Sequence, residues 1–180
     1  MLATGFARLR FTTGQTHAQR VMAMKEASSQ QILEDIFEIL EVDPDGKKFD
    51  KVSRIKARSD LYEMDLILDI NVDLYSVKSG EKLALCLSGT LNTDGSAMPV
   101  GDPGQQVYDT SIGKRESLAD LYDYVMFGKV FKYKDAMDNG HVKADVFVSF
   151  GGLLMQLSGD PKRLEDLDID NNVYLLLRKV

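Results

Sequence analysis

The chain has no tryptophan, one cysteine (Cys86), two histidines (His17 and His141) and four prolines in 180 residues. A lone cysteine excludes an internal disulfide, and no Asn-x-Ser/Thr acceptor occurs, so a reducing, intracellular setting is expected. Two histidines without ligand-like spacing argue against a zinc site. No apolar run approaches the ~18–20 residues that cross a bilayer, and no membrane association is expected. Phosphate-binding loops are missing as well. Gly113-Lys114 and Gly128-Lys129 are followed by Arg115 and Val130, where a P-loop needs Ser or Thr. Asp166, Asp168 and Asp170 sit at the first ligand positions of a calcium loop, but Asn171 and Leu177 replace its glycine and its bidentate glutamate. No cofactor follows from these patterns. Nor is there an excess of positive charge: the net charge is −6 and the pI about 5.0, a balance that repels phosphate backbones.

What the chain has is apolar residues (44%) and charged ones (28%) in the proportions of a globular domain, ordered with a period of two. Met64, Leu66, Leu68 and Ile70 fall on one face of an extended segment, with Asp65, Ile67 and Asp69 on the other. Such alternation marks an antiparallel strand buried on one side. The same reading gives strands over 35–42, 49–58, 64–70, 82–88, 124–133, 142–150, 153–157 and 173–178. About eight short strands cannot leave two long edges open, so the pattern predicts an all-β, antiparallel barrel or sandwich. Asp43-Pro44-Asp45-Gly46, Asn92-Thr93-Asp94-Gly95 and Asp138-Asn139-Gly140 read as turns. One or two short helices are expected, over 116–122 and over 161–167, the second capped by Asp160 with Pro161 in its first position.

Two stretches stand apart. Residues 1–31 carry Arg8, Arg10, Arg20 and Lys25 against the single acid Glu26, a net of +3 that leaves −9 for 32–180. They read as a flexible extension; a transit peptide, or a start at Met22 or Met24, would account for the same composition. Residues 92–117 hold Pro99, Gly101, Pro103 and Gly104, and are expected to form a long, exposed, mobile loop projecting from a single domain over 32–180.

Candidate sites are few. Cys86 lies in an apolar strand and reads as a buried structural thiol. Asp65 and Asp69, four residues apart on one strand, would be roughly 13 Å apart, too far for a glycosidase pair, and read as a solvated face. A catalytic reading therefore has no nucleophile, base or metal to rest on. Lys51, Arg54, Lys56 and Arg58 form a basic stripe that could meet nucleic acid or an acidic partner, with Tyr124, Phe127, Phe131 and Tyr133 as stacking candidates. That makes a single-stranded nucleic-acid-binding module the rival reading. No charge occurs from Val146 to Leu157, and the Gly151-Gly152 bend interrupts this run between Phe150 and Leu153. These four residues are the candidate surface for docking on a larger protein.

Five ordered motifs resemble one family. Leu33–Phe37 with Asp43–Arg54, then Met64–Asn71, Tyr124–Val130, Ser149–Met155 and Val173–Lys179 are similar to the small subunit common to the eukaryotic RNA polymerases I, II and III, conventionally the eighth. The resemblance spans about 32–180. It implies a barrel related to the oligonucleotide/oligosaccharide-binding (OB) fold and a non-catalytic role in transcription, docked on the largest polymerase subunit. It further implies residence in the nucleus and nucleolus. A single-stranded DNA-binding role has been suggested for the family from its fold, but the −9 charge of 32–180 argues against strong binding, so contact with nucleic acid is expected to be indirect or weak. The resemblance does not extend to residues 1–31, and the 92–117 loop differs from the family in length and composition.

Overall fold

The computed structural model describes residues 8–9, 31–92, 117–138 and 141–180. Among them are strands β1 (Arg8–Leu9), β2 (Gln31–Val42), β3 (Val52–Ser59), β4 (Asp65–Asn71), β5 (Lys82–Ser88), β6 (Tyr124–Asp138), β7 (His141–Phe150), β8 (Leu153–Gly159) and β9 (Asn172–Lys179). Strands β2–β9 form a closed, wholly antiparallel eight-stranded barrel in the order β6-β7-β8-β4-β3-β2-β5-β9, with β9 returning to β6. Each expected strand is present, most of them one to five residues longer than the alternation suggested. The pair Arg8–Leu9 lies against Val125 and Tyr124 of β6. The remaining calls on 1–30, the loop over 93–116 and the turn residues Asn139-Gly140 fall outside the described residues.

Alternation builds the interior. In β3, Ser53, Ile55, Ala57 and Ser59 are buried while Arg54, Lys56 and Arg58 face outward. Phe37, Ile55, Leu66, Leu85, Val146, Phe150, Leu157 and Leu175 meet inside the barrel. Three register shifts interrupt the ladders. Two of them turn an apolar side chain to the outside, Leu40 in β2 and Phe131 in β6, as a bulge does by opposing two residues to one.

The two helical predictions are corrected in length. The first is a single 3-10 turn, η1 (Leu118–Leu121), held by a capping box in which the Ser117 amide donates to Asp120 Oδ2 at 2.9 Å. The second is α1 (Pro161–Leu164), with Asp160 accepting from the Lys162 amide as its N-cap. It ends early because Leu164 and Leu167 both enter the interior, joined by the Leu167 amide donating to the Leu164 carbonyl. Among the described residues no helix is long and apolar enough to cross a membrane.

Strands β5 and β9 are buried on both faces, which explains their unbroken apolar runs. Their outer face is covered by Leu91, Leu118 and Tyr122, which pack on Cys86, Tyr174 and Leu176 in a second apolar cluster. The Leu118 amide donates to the Leu91 carbonyl at 2.8 Å, so the two feet of the long connection are tied together against the barrel.

Closure depends on β6. It pairs with β9 from Tyr124 to Lys129 and with β7 from Lys129 to Asp138, and Gly128 stands at the handover. A Cβ there would lie 2.4 Å from the Ser149 carbonyl oxygen and 2.5 Å from Phe150 Cδ1, so no larger residue fits without moving backbone. Gly128→Ala is therefore expected to cost at least ~2 kcal/mol, a fall in Tm of roughly 4–8 °C or more for a chain of this size. Gly89→Ala, whose added Cβ meets nothing within 4 Å, serves as the control and should stay within ~0.5 kcal/mol. Equal melting temperatures for the two variants would show that closure tolerates a side chain at Gly128.

Candidate functional site

The two candidate features lie next to each other. The link is Asp69 of β4, which the alternation assigned to a solvated face. The structure corrects that reading: Asp69 is only 8% exposed. Its Oδ1 accepts from Arg54 Nε at 2.7 Å, and its Oδ2 accepts from Arg54 Nη2 at 2.9 Å and from the Leu154 amide at 3.1 Å. The β4–β8 ladder runs only from Asp65↔Ser158 to Leu68↔Met155. One carboxylate thus extends the seam where backbone pairing ends, and it anchors the strand that leaves the glycine corner. Asp65, by contrast, is a surface acid 3.7 Å from Lys143 Nζ.

Arg54 is also fixed from behind. The Asp43 carboxylate accepts from the Arg54 amide at 2.9 Å and from the Ser53 hydroxyl at 2.8 Å. Asp43 itself has φ 50° and Gly46 φ 81°, closing the β2–β3 turn as the Asp-Pro-Asp-Gly sequence requires. Hydrogen bonding to Asp69 raises the Arg54 pKa, so the guanidinium is permanently charged.

The basic stripe is real but paired. Lys51 lies 3.5 Å from Asp73 and Lys56 3.3 Å from Glu41. Arg58 stands in register between Glu38 on β2 and Asp65 on β4. Opposite charges on adjacent strands make this face a neutral ladder. Of the aromatic candidates, Tyr124 is fully buried, Phe127 packs on Tyr174 in the outer cluster, and Tyr133 is half-buried. Phe131 is different: at 49% exposure it stands outside the barrel.

At the corner, Gly151 (φ 62°) and Gly152 (φ 105°) form a two-residue hairpin turn whose positive φ values favour glycine at both sites. Leu153 packs partly on the interior. Phe150, expected beside the glycines at the surface, is 1% exposed and supports the corner from beneath. The charge-free run around it alternates: Val146, Val148, Met155 and Leu157 point into the core, whereas Phe147, Ser149, Leu154 and Gln156 face out. The core accounts for the first set and not for the second. Leu154 was missed because a run apolar on both faces hides which residues face outward. Asp69 was missed because alternation cannot show that Arg54 and Leu154 converge on it.

Among the described residues no group of three or more His, Cys, Asp or Glu could hold a metal. The Cys86 thiol is buried, and burial pushes its pKa up to about 12 despite a hydrogen bond from Tyr122. Burial likewise raises the hydroxyls of Tyr122 and Tyr124. What these residues define is a closed antiparallel β-barrel protein with an uncharged outer strip. The family model described as RNA polymerase Rpb8 matches residues 34–179, and the chain belongs to that family, a subunit of DNA-directed RNA polymerase distinct from the catalytic one. It is 47% identical over 148 residues to the Dictyostelium discoideum subunit rpabc3 of DNA-directed RNA polymerases I, II and III, covering 82% of this chain and 96% of that one. It is 44% identical over 154 residues to subunit 8B of Arabidopsis thaliana RNA polymerases II, IV and V, with 86% and 99% covered. The Saccharomyces cerevisiae subunit RPABC3 of polymerases I, II and III is 36% identical over 152 residues, with 84% and 99% covered.

Two measurements test the site. Asp69→Ala leaves the Leu154 amide without its acceptor and is expected to cost about 1–3 kcal/mol by denaturant midpoint at constant m. Arg54→Lys keeps a cation beside the buried carboxylate while removing the bidentate fork, and should cost less than ~1 kcal/mol. An Arg54 variant as damaging as the Asp69 variant would mean that the carboxylate serves the guanidinium and not the seam. The Cys86 thiol ordinarily titrates near 9, and the folded chain holds its proton to about 12. Over that window the unfolded chain binds fewer protons, so stability should fall as pH rises from about 9 to about 12. Replacing Cys86 by Ala should flatten part of that slope, and at pH 8 a thiol reagent should modify Cys86 only after unfolding.

Proposed function

We propose that this chain is a non-catalytic assembly subunit of the nuclear DNA-directed RNA polymerases I, II and III, docked on the largest subunit and working in the nucleus and nucleolus. The observation that carries the proposal is that the family model spans residues 34–179, nearly all of the barrel, and that relatives covered over nearly their full length are named as shared polymerase subunits. The structure supplies a physical reason for a role in assembly. A barrel whose basic stripe lies beside or opposite carboxylates gains little from binding a phosphate backbone, since those acids repel it. Burying an uncharged strip against a larger chain does lower its free energy. The Gly151-Gly152 corner with Leu153, supported by Phe150, lies at one end of that strip and shapes the docking surface.

The test is affinity purification of the tagged full chain from cells of its own kind, with identification of the bound chains. The largest subunits of all three polymerases are expected among them, and cross-links from the barrel should fall on those subunits. Recovery of folded chain without polymerase subunits would refute the proposal. Gly152→Val places a branched residue at φ 105° and should lower the recovered complex severalfold; undiminished recovery would remove the corner from the docking surface.

A further inference from the structure

The strip left uncharged by the run from Val146 to Leu157 is wider than the glycine corner. Cross-strand register carries it over four strands. On β6 the bulged Phe131 lies beside Phe147 of β7, ring centroids 6.2 Å apart. Phe147 stands opposite Gln156 of β8, and Gln156 opposite Ile67 of β4. One step along, Ser149 is opposite Leu154. These six outward residues form an uncharged patch on a chain in which 28% of residues are charged, flanked on β6 by Lys132 opposite Phe147 and Lys129 opposite Ser149. The rim is different: Lys129 pairs with Asp170, Arg54 with Asp69 and Lys143 with Asp65, each within 4 Å. Lys132 is the exception, having no ion pair among the described residues; its Nζ lies 5.3 Å from the Phe147 ring centroid.

The fold makes a second comparison possible. The other apolar outer face, on β5, β9 and the start of β6, is covered by the chain's own Leu91, Leu118 and Tyr122. The β6–β7–β8–β4 face has no such cover among the described residues, and Phe131 and Leu154 remain 49% and 42% exposed. Depletion of charge at the centre, aromatic residues there and a polar rim are the composition of the core of a protein–protein interface. A stacking surface for single-stranded nucleic acid would need several unpaired cations along it, and this rim offers one next to the aromatic pair.

We infer that this four-strand face, centred on Phe131, Phe147 and Leu154, is the contact core for a protein partner within the polymerase. The partner surface it fits is apolar and carries a carboxylate opposite Lys132. The inference rests on the proposed function above and narrows it, because the contact core becomes the outer sheet face, with the glycine turn at its margin. Phe131 and Leu154 act as anchors, and Lys132 sets the register of the partner's acid.

The experiment compares tagged full-length chains carrying Phe131→Ser with Leu154→Ser, Lys132→Glu, or Lys56→Ser as a control on the charged face. Each is first checked for an unchanged melting temperature, as expected for exposed positions. Retention with identified polymerase subunits should fall at least about tenfold for the Phe131/Leu154 pair, as for interface anchors. It should fall severalfold for Lys132→Glu and remain at wild-type level for Lys56→Ser. Loss in the paired variant should persist at 0.5 M salt, since apolar contact is not screened. Wild-type retention of the paired variant, or equal loss in the Lys56 control, overturns the assignment of the face. Unchanged retention of Lys132→Glu overturns the acidic character of the partner. A salt-sensitive affinity for a single-stranded oligonucleotide that the paired variant abolishes, with polymerase retention intact, identifies nucleic acid as the occupant and overturns the inference. Failure of the wild-type chain to bring down any polymerase subunit overturns instead the functional reading on which it rests.

Discussion

The architecture depends on one strand serving two neighbours. β6 leaves β9 and takes up β7 at Lys129, and the turn of the sheet there brings the Ser149 carbonyl and the Phe150 ring to within 2.5 Å of where a Gly128 Cβ would be. Only a residue without a side chain lets those backbones approach, and without the approach the sheet would remain open. The positions of the other features follow from it. Closure directs Phe150 inward, places the Gly151-Gly152 turn directly after it, and brings the start of β8 against β4, where Asp69 completes the seam.

Closure also divides the outer surface into three kinds of territory. One face is apolar and covered by the feet of the long connection. A second, over β2, β3 and β4, alternates acid and base so that each cation of the stripe faces a carboxylate. The third, over β6, β7, β8 and the middle of β4, is uncharged at its centre, with Lys129 and Lys132 along its β6 side, and has no cover among the described residues. The barrel ladder closes on itself, and the side of β6 that β7 leaves open at Tyr124–Val125 pairs with Arg8–Leu9, so the broad outer surface offered for recognition is that of these faces. Their chemistry differs enough to give each a different role. The charged ladder keeps the surface soluble and discourages sheet-on-sheet contact, and the uncharged face is the one on which association gains most.

The strands were legible in the residues because a period of two has a direct physical cause: one side of each strand must meet the core. Met64, Leu66, Leu68 and Ile70 could be assigned inward from spacing alone, and all four are buried. The Asp-Pro-Asp-Gly turn, the Asp160 cap and the buried state of Cys86 were legible for similarly local reasons. The bulge at Phe131 was not, because an inserted residue shifts the period without leaving a mark of its own. The extent of both helices was also misjudged, since the points where Leu118, Leu164 and Leu167 meet the barrel set their lengths.

By itself the chain determined that it would be an antiparallel β protein with a single domain's worth of alternating strands, because burial periodicity and turn chemistry act over a few residues at a time. Family membership was readable too, from five motifs in order. Which strands became neighbours was decided only in three dimensions, and with it the meaning of the individual charges. Asp69 looked like any solvated acid until β3 and β8 arrived on either side of it, and Arg54, Lys56 and Arg58 looked like a free positive stripe until β2 and β4 placed carboxylates opposite them. Cross-strand partners come from distant parts of the chain, so neither pairing nor exposure can be computed from local spacing.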